Sequence, residues 1–300
     1  MADWANIAIQ GLLPKEGSEG RMTLKTILVC LTTVEHAATL LKLAVPLARR
    51  HNAHLLGLHT LEALLVYPSI AMHIPEPAFI EFTTSQREEA AQIEAIFSKH
   101  TKNEDFPSEW RLLKAESATA SDRMVDCARA CDLVIMGQED RDADRYDQRR
   151  AQSLVIRDSG RPVIVVPTGY DGPPVGDNIL LGWSNTREAA RAAHDLTLVA
   201  GQGAKVTVLR VIDRIMDELS DAEAIDLAAM YDRHGLKVEL QHRENGGDGI
   251  AALLGRYAFE KGSDLIVTGA FGHSRAYDFV LGATSHALLR DARLPVMFSK

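Results

Sequence analysis

The chain repeats itself once along its length, and that duplication limits the available folds more than any other feature. The run from Ile27 to Ala38, ILVCLTTVEHAA, matches Ile179 to Ala190, ILLGWSNTREAA. Cys131 to Gly137, CDLVIMG, matches Ser263 to Gly269, SDLIVTG. Val155 to Val163, VIRDSGRPV, matches Leu288 to Val296, LLRDARLPV. The three matches keep the same order in both halves, and their period far exceeds that of a solenoid repeat. They describe one domain present twice.

Within each half, short apolar runs alternate with longer amphipathic ones. The spacing predicts strands at 25–31, 54–61, 109–114, 132–137 and 162–166, then at 178–183, 204–212, 236–242, 264–268 and 295–299. These runs are rich in Val, Ile and Leu without strict alternation, as expected of strands covered on both faces. Helical spacing is clear from Glu188 to Val199 and from Thr84 to His100. Such alternation predicts parallel βαβ units. The fold class is therefore α/β: two tandem, doubly wound, parallel five-stranded sheets in a pseudo-two-fold arrangement.

The predicted domains are 23–167 and 178–300, joined by a Gly/Pro-rich linker at 168–177 and preceded by a disordered lead-in at 1–22. Residues 66 to 100 form an insertion in the first half. Pro68, Pro75 and Pro77 predict an irregular loop at its start.

Composition narrows the function classes. The net charge of −8 and pI near 5.8 disfavour a general nucleic-acid binder. No apolar run approaches the roughly 20 residues that span a bilayer, so no membrane partner is expected. No secretory signal is visible, which makes the cytoplasm the expected location. Three cysteines do not form a disulfide framework. Cys127 and Cys131 read either as a redox pair or half a metal site, or as small buried side chains; Cys30 reads as buried.

The chemistry-bearing candidate is the stretch after the strand at 264–268, where Gly269, Gly272 and Gly282 punctuate the passage from strand to helix. Ligands of doubly wound sheets sit at the carboxyl ends of strands. Glycines there let the backbone approach an anion, and a helix N-terminus offers unpaired N–H donors. His273, Ser274 and Arg275 follow the second glycine. His273 or Arg275 reads as a phosphate contact and Ser274 as a helix cap, with both readings open.

On these residues the chain resembles the universal stress protein family, over roughly 24–167 and 178–299. The spacing G-x2-G-x9-G, with its flanking strand and helix, carries the resemblance. It implies an adenine nucleotide alpha hydrolase-like fold and a tandem member whose halves pack as a pseudo-dimer. It also implies an adenine-nucleotide site, ATP-like, with Mg2+ as a possible companion. Carried over, Val211 offers backbone atoms to the base, and Gly269, Gly272 and Gly282 wrap the phosphates beside His273. The family's first-strand Asp is here Ser184, and its hydroxyl after the third glycine is Ala283, with Thr284 and Ser285 next. Each lost hydrogen bond costs about 1 kcal/mol, so two weaken binding by about tenfold to several hundredfold.

The first half departs further. Its first-strand position is Thr32, Asp140 stands for the second glycine, and Arg149 for the third. No conventional nucleotide site is expected there, and the Asp-rich loop lacks the alternate ligand spacing of a calcium site. His51, His54 and His59 have no metal spacing and read as surface or core residues. His286 reads as solvent-facing. Asp213 reads as a ribose or metal partner or as a helix start. With no nucleophile elbow and no P-loop lysine, no catalytic residue is assigned and an enzyme is not expected. Three functions stand: a nucleotide-binding stress sensor or regulator, an interaction scaffold with unknown protein partners, and a slow nucleotide hydrolase. A monomer with an internal pseudo-dimer and a homodimer are both compatible with the duplication.

Overall fold

The structure, a computed structural model, describes residues 23–62, 76–115, 119–138, 146–212, 221–270 and 282–300. The lead-in at 1–22 and Pro68 and Pro75 of the insertion lie outside the described residues.

The first half runs β1 (Thr26–Cys30), α1 (Val34–His51), β2 (His54–Leu61), α2 (Glu76–Thr101), β3 (Ser108–Lys114), α3 (Ala120–Ala128), β4 (Leu133–Gly137), α4 (Tyr146–Asp158) and β5 (Val163–Val166). The second runs β6 (Asn178–Trp183), α5 (Arg187–Val199), β7 (Lys205–Ile212), α6 (Asp221–Arg233), β8 (Lys237–Glu244), α7 (Ile250–Lys261), β9 (Leu265–Gly269), α8 (Ala283–Asp291) and β10 (Val296–Ser299). One element starts earlier than its periodicity indicates. Helix α2 begins at Glu76 rather than Thr84, and takes in Pro77. Proline is tolerated in a first turn, because its missing N–H would have no intrahelical partner there.

The two parallel sheets join into one, in the order β3-β2-β1-β4-β5-β10-β9-β6-β7-β8. The ladders within each half are parallel, for example Ile27↔Leu133 between β1 and β4 and Ile179↔Leu265 between β6 and β9. The seam is antiparallel: Val296 faces Val165, Met297 faces Ile164 and Phe298 faces Val163. The symmetric strand order and the antiparallel seam agree with a pseudo-two-fold relation between the two halves.

Side chains alternate across the sheet. Ile27, Val29, Ile179, Leu181 and Met297 face one layer, built by α1, α2, α5 and α6 through Leu40, Ile93, Leu196 and Tyr231. Leu28, Cys30, Leu180, Ile266 and Phe298 face the other, built by α3, α4, α7 and α8 through Met124, Val155, Leu254 and Leu288. Each layer takes residues from both halves, so the apolar core is continuous across the seam.

Two repeated motifs have local structural causes. Asp132 Oδ2 accepts from the backbone N–H of Lys25 (2.7 Å) and Thr26 (2.9 Å), tying β4 to the start of β1. Its counterpart Asp264 accepts from Gly176, Asp177 and Asn178, at 2.8, 2.8 and 2.7 Å. The first helix of each half also has a threonine cap, shifted by one position between the repeats. Thr33 Oγ1 accepts from His36 N–H at 3.4 Å, and Thr186 Oγ1 from Ala189 N–H at 3.2 Å.

Candidate functional site

Strands β9, β6 and β7 are consecutive neighbours, so their carboxyl ends form one rim. Gly269 ends β9, Ser184 follows β6, and Val211 lies near the end of β7. Gly272 and His273 lie outside the described residues, as do Phe271, Ser274, Arg275, Tyr277 and Asp213.

Val211 is half-buried and its side chain packs on the core. The β6–β7 ladder ends at Trp183↔Arg210, whereas β7–β8 continues through Val211↔Arg243. From Val211 onward the β6-facing edge of β7 has no ladder partner among the described residues. A backbone edge of that kind can meet the polar edge of a planar base.

Ser184 is half-buried, and its Oγ lies 3.4 Å from Thr186 Oγ1. The same threonine caps α5, so Ser184 belongs to the capping arrangement of that helix.

The glycines separate into two kinds. A β-carbon on Gly269 would lie 2.6 Å from Ala189 N and from the Glu188 carbonyl carbon. This glycine is required because the first turn of α5 crosses the end of β9, a reason internal to the protein. In the first half a β-carbon on Gly137 would lie 2.9 Å from His36 Nδ1. Gly282 differs: its φ is −57°, which any residue adopts, and no described atom lies within 4 Å of the added β-carbon position.

Gly282 is also the N-cap of α8 and supplies no side-chain hydrogen bond. The first helical bond is His286 N–H to Gly282 C=O, at 2.9 Å. The N–H groups of Ala283, Thr284 and Ser285 precede it and have no acceptor within the helix. Ala283 is exposed, Thr284 half-buried and Ser285 buried, so Thr284 is the more accessible of the two hydroxyl residues. His286 is exposed.

Sequence reading passed over Glu188. It is 5% exposed, in the first turn of α5, and its Oε1 accepts from Arg187 Nε at 2.5 Å. Burial acts to raise its carboxyl pKa. The hydrogen bonds from Arg187 and its own N–H, with the charges of Arg187 and Lys300, outweigh burial and hold it low. The matching position in the first half is His36, buried over Gly137. Only the three-dimensional placement over the glycine marks these two residues.

In the first half, Arg149 lies inside α4, whereas Gly282 stands before α8 as its cap. Gln152 Nε2 donates to Gly137 C=O at 2.7 Å, holding α4 against the end of β4. Asp140 and the Asp-rich loop lie outside the described residues. His59 is a core residue: its Nδ1–H donates to Leu31 C=O at 2.7 Å, and its ring stacks on Trp110.

All three cysteines are free, with Cys30 and Cys131 buried and Cys127 half-buried. Burial raises all three thiols, Cys131 to about 11. The described residues contain no group of three or more His, Cys, Asp or Glu arranged to hold a metal ion. Among them, no helix is long and apolar enough to cross a membrane.

The model of the universal stress protein family matches residues 23–167 and again 177–300. No curated protein sequence matches the chain significantly. Among solved structures, a universal stress protein from Archaeoglobus fulgidus DSM 4304 is 15% identical with a TM-score of 0.69, covering 91% of this chain and 96% of its own. A putative universal stress protein from Pseudomonas aeruginosa UCBPP-PA14 is 17% identical with a TM-score of 0.57, covering 92% and 93%. At these identities the likeness shows the shared fold.

Proposed function

Given that the chain belongs to the universal stress protein family, we propose that its second half binds an adenine nucleotide, ATP in the first instance, as a stress-response sensor or regulator. The observation that carries this reading is Gly282. It is the N-cap of α8 with no side-chain capping bond, and no described atom lies within 4 Å of where its β-carbon would be. A phosphate there would accept from the α8 N–H groups, Ala283 first, and from the Thr284 hydroxyl. The base would lie against the free backbone edge at Val211, and the ribose against Ser184. Gly272, His273 and Ser285 complete the proposed set. Mg2+ would arrive with the phosphates and would supply charge neutralisation.

The reading is of binding without turnover, since no base beside the loop is assigned. Its functional units are 23–167 and 178–300, with 168–177 as the connection. The paired halves would act as a monomer with an internal pseudo-dimer. The test is calorimetric titration with ATP up to millimolar concentration, with Gly282→Val as control. Heat from the wild type that disappears in the variant supports the reading; no heat and no thermal shift from the wild type overturns it.

A second reading, a scaffold for protein partners without nucleotide, is favoured by one observation. Ser184 Oγ is already engaged with Thr186, and Gly269 is explained by packing on α5. In that case Gly282→Val leaves function intact.

A further inference from the structure

Two side chains of the first half reach across to the second, and each ends on a helix that frames the proposed nucleotide site. Gln138 follows β4, and its Nε2 donates to Leu289 C=O at 3.0 Å and Ala292 C=O at 3.5 Å, at the C-terminal end of α8. Arg50, in the last turn of α1, donates from Nη1 to Val199 C=O at 3.0 Å, the last residue of α5, and to Val175 C=O at 3.4 Å. Its Nη2 lies 3.5 Å from Asp177 Oδ1.

The accepting groups at 289 and 199 are C-terminal helix carbonyls, which lack intrahelical partners. Both helices begin at the site. Ser184 lies on the rim, Thr186 caps α5, and the first turn of α5 crosses Gly269. Helix α8 starts immediately after Gly282.

A helix is a stiff rod, and α8 is only about 13 Å long at 1.5 Å per residue. Where its C-terminus is held therefore sets where its N–H groups point. The contact runs one way: Gln138 corresponds to Ala270 in the second half, which has no side chain able to return it.

We infer that Gln138 and Arg50 are positioning residues through which the first half, itself without the three-glycine loop, aims the nucleotide-binding helices of the second. This rests on the nucleotide reading above.

The test compares Gln138→Leu, which keeps the bulk and removes the donor, with Gln138→Lys, which keeps a donor at the negative end of α8. Arg50→Met and Arg50→Lys form the parallel pair. ATP affinity is measured by calorimetry well below the melting temperature. Amide hydrogen exchange across 283–291 is measured without nucleotide.

The expected result is about fivefold weaker ATP binding in Gln138→Leu and in Arg50→Met, on the scale of one lost hydrogen bond. Exchange in α8 should be faster in Gln138→Leu, and both losses should be restored by the lysine variants. Wild-type ATP binding in both Gln138→Leu and Arg50→Met, or wild-type α8 exchange in Gln138→Leu, overturns the inference alone. A wild type that binds no ATP overturns the nucleotide reading and this inference with it. If Gln138→Leu does not fold, the Arg50 pair decides the matter by ATP affinity: a loss in Arg50→Met restored in Arg50→Lys supports the inference, and wild-type affinity in Arg50→Met overturns it.

Discussion

Gly269 and Glu188 are in such close contact that a β-carbon on the glycine would lie 2.6 Å from the Glu188 carbonyl carbon. The obstructing atoms are helix backbone, which cannot turn aside. Gly269→Ala should therefore destabilise the protein by about 1–3 kcal/mol, the usual range for overpacking. Gly137→Ala should cost less, since it meets a histidine ring that can rotate. Gly282→Ala should change stability by less than about 0.5 kcal/mol, because no described atom lies within 4 Å of the added β-carbon. Thermal melts of the three variants test this order, and an equal loss at 282 and 269 would contradict it.

Glu188 gives a pH dependence of known sign. Its folded pKa lies below the ordinary value of 4.5, so it binds fewer protons in the folded state than in the unfolded one between those values. Its contribution to stability is fully present above pH 4.5 and is lost as the pH falls through the folded pKa. Glu188→Gln should flatten that part of the stability profile. Denaturant melts of both proteins between about pH 3 and pH 7 supply the comparison.

The thiols should react in order of access. Cys127 is half-buried, Cys131 is buried with its pKa raised to about 11, and Cys30 is buried at the end of β1. Thiolate, not thiol, is the nucleophile. Iodoacetamide in mildly alkaline buffer should label Cys127 first, Cys131 more slowly and Cys30 last, as read by peptide mass spectrometry. Labelling of Cys30 before Cys127 would contradict the packing.

The seam should hold without the linker. Residues 171–174 are exposed, while Ile164 and Met297 on either side of the seam are fully buried. A protease site introduced between Gly172 and Pro173 should be cut, with the two fragments still eluting together on size exclusion. Met297→Asp places an unpaired charge in that core and should separate the fragments or unfold them. Fragments that part without the substitution would mean the seam is weak.

The inner strands were legible because they are buried on both faces and written as apolar runs; the edge strands β3 and β8 are largely exposed and show only partial apolar patterning, yet each observed strand lies within two residues of its expected bounds. The start of α2 was not, because Pro77 reads as a breaker until it is seen in a first turn. The joining of two sheets into one was not legible either. It depends on β5 and β10, whose pairing partners are more than a hundred residues apart. At the site, glycine spacing located Gly269 and Gly282 but could not separate their reasons. Gly269 answers to the backbone of α5, and only coordinates show that Gly282 answers to nothing described. Gln138 and Arg50 carry no motif at all, since what matters is a carbonyl at the far end of another helix.

The antiparallel seam places two unequal copies in permanent one-to-one company. In an assembly of identical subunits, every substitution appears on both sides of the axis. Here Arg149 stands within a helix while Gly282 caps the head of its counterpart. Covalent pairing lets the two copies diverge independently, so that a change in one is not forced on the other.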